Sequence, residues 1–335
     1  MQIKWNYIII VFVAFYLFFG FLNSGETSYN KASSDYNRAF WVQELSKRNV
    51  LSVYEDFKKK NRMVPFDRQH FSAHVFGESI FEVVGTDGIS VCDSSFGFGC
   101  FHGFFTRAVS QEGLSIVSAL DDACVSAYGV LGTGCQHGIG HGIMEYLGYG
   151  DVIPALEACR DTTQVVPLLG CTSGVFMEYR KPVVIGEDSA EIIPHQFTAD
   201  DPYTPCTRVP EKFRASCYFE LADWWYSHFG SEYSAMGELC SASPRSYRKY
   251  CFLGIGSVSG PREMYDVSKS LATCAEVSDS PLEVRYCKSG AAWSFYANPE
   301  SRNEYRTLCD GLPDGEILAC LQDSDLTEGR EQRTL

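Results

Sequence analysis

A chain of 335 residues, 45% of them hydrophobic, is long enough to bury a core as one large domain or two ordinary ones. Its formal net charge of -14 leaves no surplus of Lys and Arg to displace counterions from phosphates, which excludes nucleic acid as the main partner. The 14 cysteines point to a disulfide framework in an exported chain, and the closest two, Cys92 and Cys100, lie too far apart for a CxxC redox motif or a CxxCH haem attachment site.

The chain opens MQIKWNYIIIVFVAFYLFFGFLNSGE, in which Lys4 precedes an uncharged apolar run from Tyr7 to Leu22. That run is slightly short for a membrane span unless Trp5 and the flanks contribute. Leu22-Asn23-Ser24 is a poor cleavage site, so residues 1–24 read as an uncleaved signal anchor or a signal peptide. Either one exports the remainder to a periplasmic, lumenal or extracellular compartment, and the first also tethers it to a membrane by a single pass. A buried core helix is a third reading, disfavoured because a segment without a polar face at the N-terminus has no core to enter. Residues 25–66 read as a polar helical entry segment, with helical character from about Asp35 to Lys60.

The cysteines then fall in pairs: 92 and 100, 124 and 135, 159 and 171, 206 and 217, 240 and 251, 274 and 287, 309 and 320. Separations are 8 to 13 within pairs and 22 to 24 between them, with one gap of 35, which makes a repeat of about 35 residues. Stretches such as SIVSALDDAC, DVIPALEAC, VSKSLATC and EYRTLC predict an outer helix ending near the first cysteine of each unit. Pro210, Pro244, Pro281 and Pro313 predict an inner helix that starts about two turns before the second. Pairing neighbours is the one connectivity that repeats identically in all seven units, and each bridge then staples an outer helix to an inner one. Glycine three residues after the second cysteine (Gly103, Gly138, Gly174, Gly254, Gly290) allows neighbouring helices a close approach, while Glu220 and Asp323 depart from this pattern.

The fold expected over residues 67–323 is therefore all-α: about eight disulfide-stapled helical hairpins in a curved solenoid or an α/α toroid. Residues 67–84 align as a cap repeat without a bridge if Arg68 takes the cysteine position. The long gap holds an acid- and proline-rich insertion at 181–205, and 324–335 is a polar tail. The architecture is similar in kind to disulfide-bonded helical-repeat proteins of the Sel1-like or tetratricopeptide sort, although their consensus residues are not present.

Counting from the second cysteine as zero, CQHGIGHGIME places His137 at +2, His141 at +6 and Glu145 at +10. At 100° per residue these form one stripe drifting by about 40° per step. The +2 position lies about 200° around from the cysteine, so a bridge facing the outer helix turns the stripe toward the other, concave wall. With Arg68 as zero, RQHFSAHVFGE repeats the pattern with His70, His74 and Glu78, and the unit between contributes His102 at +2 and Thr106 at +6. Five of the seven histidines thus fall on two rungs of three successive helices, whereas Ser173, Phe219, Leu253 and Ser289 occupy +2 elsewhere.

Imidazole and carboxylate donors in this pattern suit a transition-metal ion (Zn, Fe, Cu or Mn), with His70, His74, His102, His137 and His141 as metal ligands and Glu78 and Glu145 as catalytic bases. Either a dinuclear centre around His102 or two neighbouring mononuclear ones is expected. A b-type haem held by two histidines would not need the glutamates, and structural or pH-responsive histidines remain the plainer alternative. Glu178 and Glu220 extend the acidic rung, Asp223 and Trp293 fall on the same face, and His195 in the insertion is a candidate lid ligand. The function expected is that of an exported, membrane-tethered metalloprotein with metal-dependent catalysis. Its competitor is a non-catalytic scaffold whose concave groove takes a protein, peptide or small-molecule ligand.

Overall fold

All seven cysteine pairs close within their own unit, with Cα–Cα distances of 5.4 to 5.8 Å. The computed structural model that contains them describes residues 31–324 apart from 65, 130–132, 164–167, 169, 181–194, 196 and 299. The apolar run at residues 7–22, most of the insertion and all but the first residue of the tail lie outside the described residues. Among the described residues all regular structure is helical, and no helix is long and apolar enough to cross a membrane.

Two helices, α1 (Lys31–Lys47) and α2 (Val50–Asn61), precede the repeats. Asn49 caps α2 by accepting a hydrogen bond from the Ser52 N–H, which satisfies one of the orphan donors of the first turn. The repeats run α3 (Phe66–Val84), α4 (Gly99–Glu112), α5 (Val117–Tyr128), α6 (Thr133–Leu147), α7 (Ile153–Ala158), α8 (Cys171–Arg180) and α9 (Glu211–Phe229). They continue with α10 (Tyr233–Ala242), α11 (Arg248–Arg262), α12 (Val267–Glu276), α13 (Pro281–Ala297) and α14 (Asp314–Asp323). Short 3₁₀ turns stand at Gly85–Val91, Cys159–Asp161 and Arg302–Cys309, where an outer α-helix was expected to finish.

The helices α3, α4, α6, α8, α9, α11, α13 and α14 form an inner row in which each packs on the next. The second cysteine of every unit lies on this row, and the first lies in the outer layer of shorter helices, 3₁₀ turns and, for Cys92 and Cys206, connecting loops. This alternation is consistent with a stack of hairpins. The prolines mark the inner starts only in part: α9, α13 and α14 begin six residues before Cys217, Cys287 and Cys320, but α11 begins at Arg248, after Pro244. The helices α4, α6 and α8 begin within two residues of their cysteines. A continuous core of large aromatics, among them Trp41, Phe57, Phe76, Phe104, Phe105, Phe176, Trp225, Phe252 and Phe295, runs between the layers. Trp41 meets Phe57 and Phe76 edge-on, which ties α1 and α2 to α3.

Glycine contacts fix how neighbouring inner helices are aligned. A Cβ on Gly174 would fall 1.9 Å from the carbonyl oxygen of His137, one on Gly254 2.1 Å from that of Phe219, and one on Gly290 2.0 Å from that of Leu253. In each case the +3 glycine sits on the +2 carbonyl of the preceding helix. The equivalent contact of Gly103 is with the carbonyl of His74, at 1.9 Å. A second series agrees: Gly140, Gly256 and Gly77 lie against the carbonyls of Cys171, Cys287 and Cys100. The cysteine position of the cap repeat is therefore taken by Ser72 and not by Arg68. This correction of one helical turn puts His74 at +2, His70 at -2 and Glu78 at +6.

Candidate metal centre

Three neighbouring inner helices bring the five histidines together. From α3 come His70 and His74, whose Nε2 atoms are 3.1 Å apart; from α6 come His137 and His141, whose Nε2 atoms are 3.0 Å apart. His102 of α4 stands between the two pairs. Its ring centroid is 5.3 and 5.2 Å from those of His70 and His74, and 5.7 and 4.1 Å from those of His137 and His141. Two trios result, His70, His74 and His102, and His102, His137 and His141; within each, one ligand atom per residue lies within 4.8 Å of the others.

The chemistry of the rings fits a metal. Metal–nitrogen bonds of about 2.0–2.1 Å at angles between square and tetrahedral place cis nitrogens about 2.8 to 3.4 Å apart, which includes both observed Nε2 separations. His70 Nδ1 donates to the Phe96 carbonyl at 2.7 Å, and His141 Nδ1 donates to Glu178 Oε2 at 2.7 Å. Each such bond holds the proton on Nδ1 and leaves Nε2 as a lone pair aimed at its neighbour. The Phe96 carbonyl reaches His70 from a turn in which Phe96, Gly97 and Phe98 have φ of 56°, 62° and 66°. Bulky residues seldom adopt that left-handed conformation, and such outliers persist where the surroundings over-determine them.

Burial pushes His74, His102 and His137 well below the ordinary imidazole range, with the neighbouring imidazoles adding to the shift. Burial lowers His141 to about 3, with His70 adding to the shift. These four rings therefore stay neutral at physiological pH, the form that ligates. His102 has both ring nitrogens buried without a partner, and so does His137 at Nδ1. Comparison of the chain with protein families, curated proteins and solved structures finds no match.

The two glutamates lie farther along the helices and not in the trios. Glu145 accepts a hydrogen bond from Thr106 at 2.8 Å, and Glu78 pairs with Arg38 of α1 at 3.5 Å. Burial raises Glu78 to about 7, with Glu145 adding to the shift and Arg38 and Arg107 opposing it. Burial and the charge of Glu178 raise Glu145 to about 7, against the hydrogen bond from Thr106. Both carboxyl groups are thus poised to exchange a proton near neutrality, as a general base must.

The weaker sequence candidates divide. Glu178 is buried behind His141 and also accepts a hydrogen bond from Tyr149 at 2.9 Å, so it acts through the ring and not as an extension of the acidic rung. Glu220 accepts from Ser173, Asp223 pairs with Arg262, and Trp293 packs with Leu168, Phe219 and Leu253. His195 is in neither trio; its ring stacks on Tyr179, and its Nε2 meets the Tyr149 carbonyl at 3.3 Å. The Phe96 carbonyl was missed because no side chain announces it. The one signal was FGFG at 96–99, an aromatic and glycine alternation directly before an inner helix.

Proposed function

We propose that this protein is an exported metalloprotein whose histidine trios hold a transition-metal ion beside two proton-accepting glutamates, and that the centre is catalytic. The observation that carries this reading is the convergence of the Nε2 atoms of two histidine pairs, at 3.0 and 3.1 Å, on either side of a buried imidazole with no partner of its own. Of zinc, iron, copper and manganese, an all-imidazole donor set favours the first three. Three protein ligands leave a coordination position open, and a bound ion supplies Lewis acidity and a water of lowered pKa there. On this reading Glu145, held by Thr106, and Glu78, held by Arg38, take the proton from water or substrate.

The seven disulfides indicate an oxidising, extracytoplasmic compartment. Residues 1–24 are proposed to deliver the chain there, as a signal peptide or as a single-pass membrane anchor. A protein, peptide or small-molecule ligand is proposed as a further partner of the inner row of helices. Elemental analysis of the purified, fully disulfide-bonded chain tests the reading, with His74→Ala and His137→Ala beside the wild type. Stoichiometric metal in the wild type and its loss in the variants is expected. Removal of that metal should leave the melting temperature nearly unchanged, since the bridges hold the scaffold. Absence of metal from the wild type overturns the reading, and a large fall in melting temperature on metal removal reassigns the ion to a structural role in a non-catalytic scaffold.

A further inference from the structure

The two trios are built alike. In each, one helix supplies two histidines one turn apart, their Nε2 atoms 3.1 or 3.0 Å from each other. In each, one ring of the pair is oriented from behind, by the Phe96 carbonyl or by the Glu178 carboxylate. The trios share one member, His102, on the helix between them. A ligating histidine ordinarily donates its second N–H to an acceptor that fixes its orientation, as His70 and His141 do. His102 departs from that rule, because Nδ1 and Nε2 are both buried and neither has a protein partner. A neutral imidazole offers one donor and one acceptor, so a buried ring with both left bare is accounted for by a ring that ligates through both nitrogens.

Resting on the metalloprotein reading above, we propose that the centre is dinuclear. One divalent transition-metal ion sits on His70 and His74, the other on His137 and His141, and His102 bridges them as an imidazolate, one nitrogen to each ion. Forming the second nitrogen–metal bond displaces the remaining ring proton of His102 to solvent; no electron is transferred and no other bond breaks. The bridge gives the middle helix a role the outer two cannot take, and it would give each ion three imidazoles.

Copper(II) alone is the probe. The chelator-treated, fully disulfide-bonded chain is titrated with it, and bound copper is compared with the double-integrated electron paramagnetic resonance signal at low temperature. The wild type, His102→Gln, His70→Ala/His74→Ala and His137→Ala/His141→Ala are compared, each first checked for native circular dichroism and absence of free thiols. The wild type is expected to take two equivalents with a signal several-fold below that of the copper bound, because spins coupled through an imidazolate cancel. Each double variant is expected to take one equivalent at full intensity, and His102→Gln to recover full intensity for whatever copper it keeps. Two equivalents at full intensity in the wild type, a single equivalent, or an unchanged weak signal in His102→Gln each overturn the bridge while leaving a metalloprotein standing. No bound copper overturns both proposals together.

Discussion

Alanine at Gly174 tests the packing on which the site depends. The new Cβ would lie 1.9 Å from the His137 carbonyl oxygen, 2.9 Å from its carbon and 3.2 Å from the His141 nitrogen. All three are backbone atoms of α6, so no side chain can swing aside, and α8 must retreat by roughly an ångström or more to restore ordinary contact. Overpacking of this kind costs about 1–3 kcal/mol, against the 0.5–1 kcal/mol or so that replacing a helical glycine with alanine normally contributes. A net loss of about 1–2 kcal/mol corresponds to a fall of roughly 1–4 °C in melting temperature for a chain of this size. The same retreat stretches the 2.7 Å bond from His141 Nδ1 to Glu178 Oε2, which spans the two helices, past hydrogen-bonding range. Scanning calorimetry and zinc titration of Gly174→Ala, Gly254→Ala and Gly315→Ala separate these effects. Gly254 meets the Phe219 carbonyl at 2.1 Å but lies away from the histidines, so it should lose stability and keep its zinc affinity. Gly315 has nothing within 4 Å in α14 and should gain stability. A Gly174→Ala protein as stable as the wild type, or a Gly254→Ala protein with equally weakened zinc binding, would refute the argument.

Two further outcomes are expected. Glu178→Gln keeps an oxygen for His141 Nδ1 but removes the negative charge that makes the ring a better donor, so zinc affinity should fall by about 10–100-fold in calorimetric titration, and an unchanged affinity would contradict the assigned role. Burial raises Asp93, but hydrogen bonds from Tyr54 and Ser95 and the charge of Lys58 outweigh it and hold the carboxyl below its ordinary value. A group depressed in the folded state contributes stability that is present above its unfolded pKa of about 4 and is lost as pH falls through the folded value. Urea midpoints measured from neutral pH down into that acid range should therefore fall less steeply for Asp93→Asn than for the wild type; parallel curves would show that the carboxylate is not the source.

The features legible in the sequence are those that repeat. Equal spacing made neighbour pairing the one regular choice for the cysteines, and the angle between a bridged cysteine and the +2 position was enough to gather His102, His137 and His141. The cap repeat was misaligned by a turn because it carries no cysteine, and the shared His-x3-His-x3-Glu spelling attracted an alignment that the glycine contacts of Gly77 and Gly103 do not follow. The histidines still converge because a shift of four residues is nearly a whole turn and turns the face by only about 40°. The acceptors behind the rings were illegible for a different reason. One is a backbone carbonyl presented by left-handed Phe96 and Phe98, and the other, Glu178, belongs to a helix that reaches the site from the next unit.

The bridges have a geometric consequence beyond chain entropy. A core that already buries Trp225, Phe104, Phe105, Phe176 and Phe252 fully does not need seven covalent staples merely to collapse. Each staple also constrains the rotation of an inner helix about its own axis, and on α4 and α6 it does so at a cysteine two residues before a histidine of the site. On α4 and α6 this rotation is held covalently through Cys100 and Cys135, and so is the direction of His102, His137 and His141. On α3 Ser72 stands in the cysteine's place, and the direction of His70 and His74 rests on packing: Gly77 against the Cys100 carbonyl of α4, Gly103 of α4 against the His74 carbonyl, Trp41 against Phe76, and Arg38 on Glu78. The two halves of the centre therefore differ in how they are held. The α6 half is fixed by a covalent bond, whereas the α3 half depends on α1 remaining docked, so the histidine pair nearest the N-terminus is the one whose geometry the entry helix can alter.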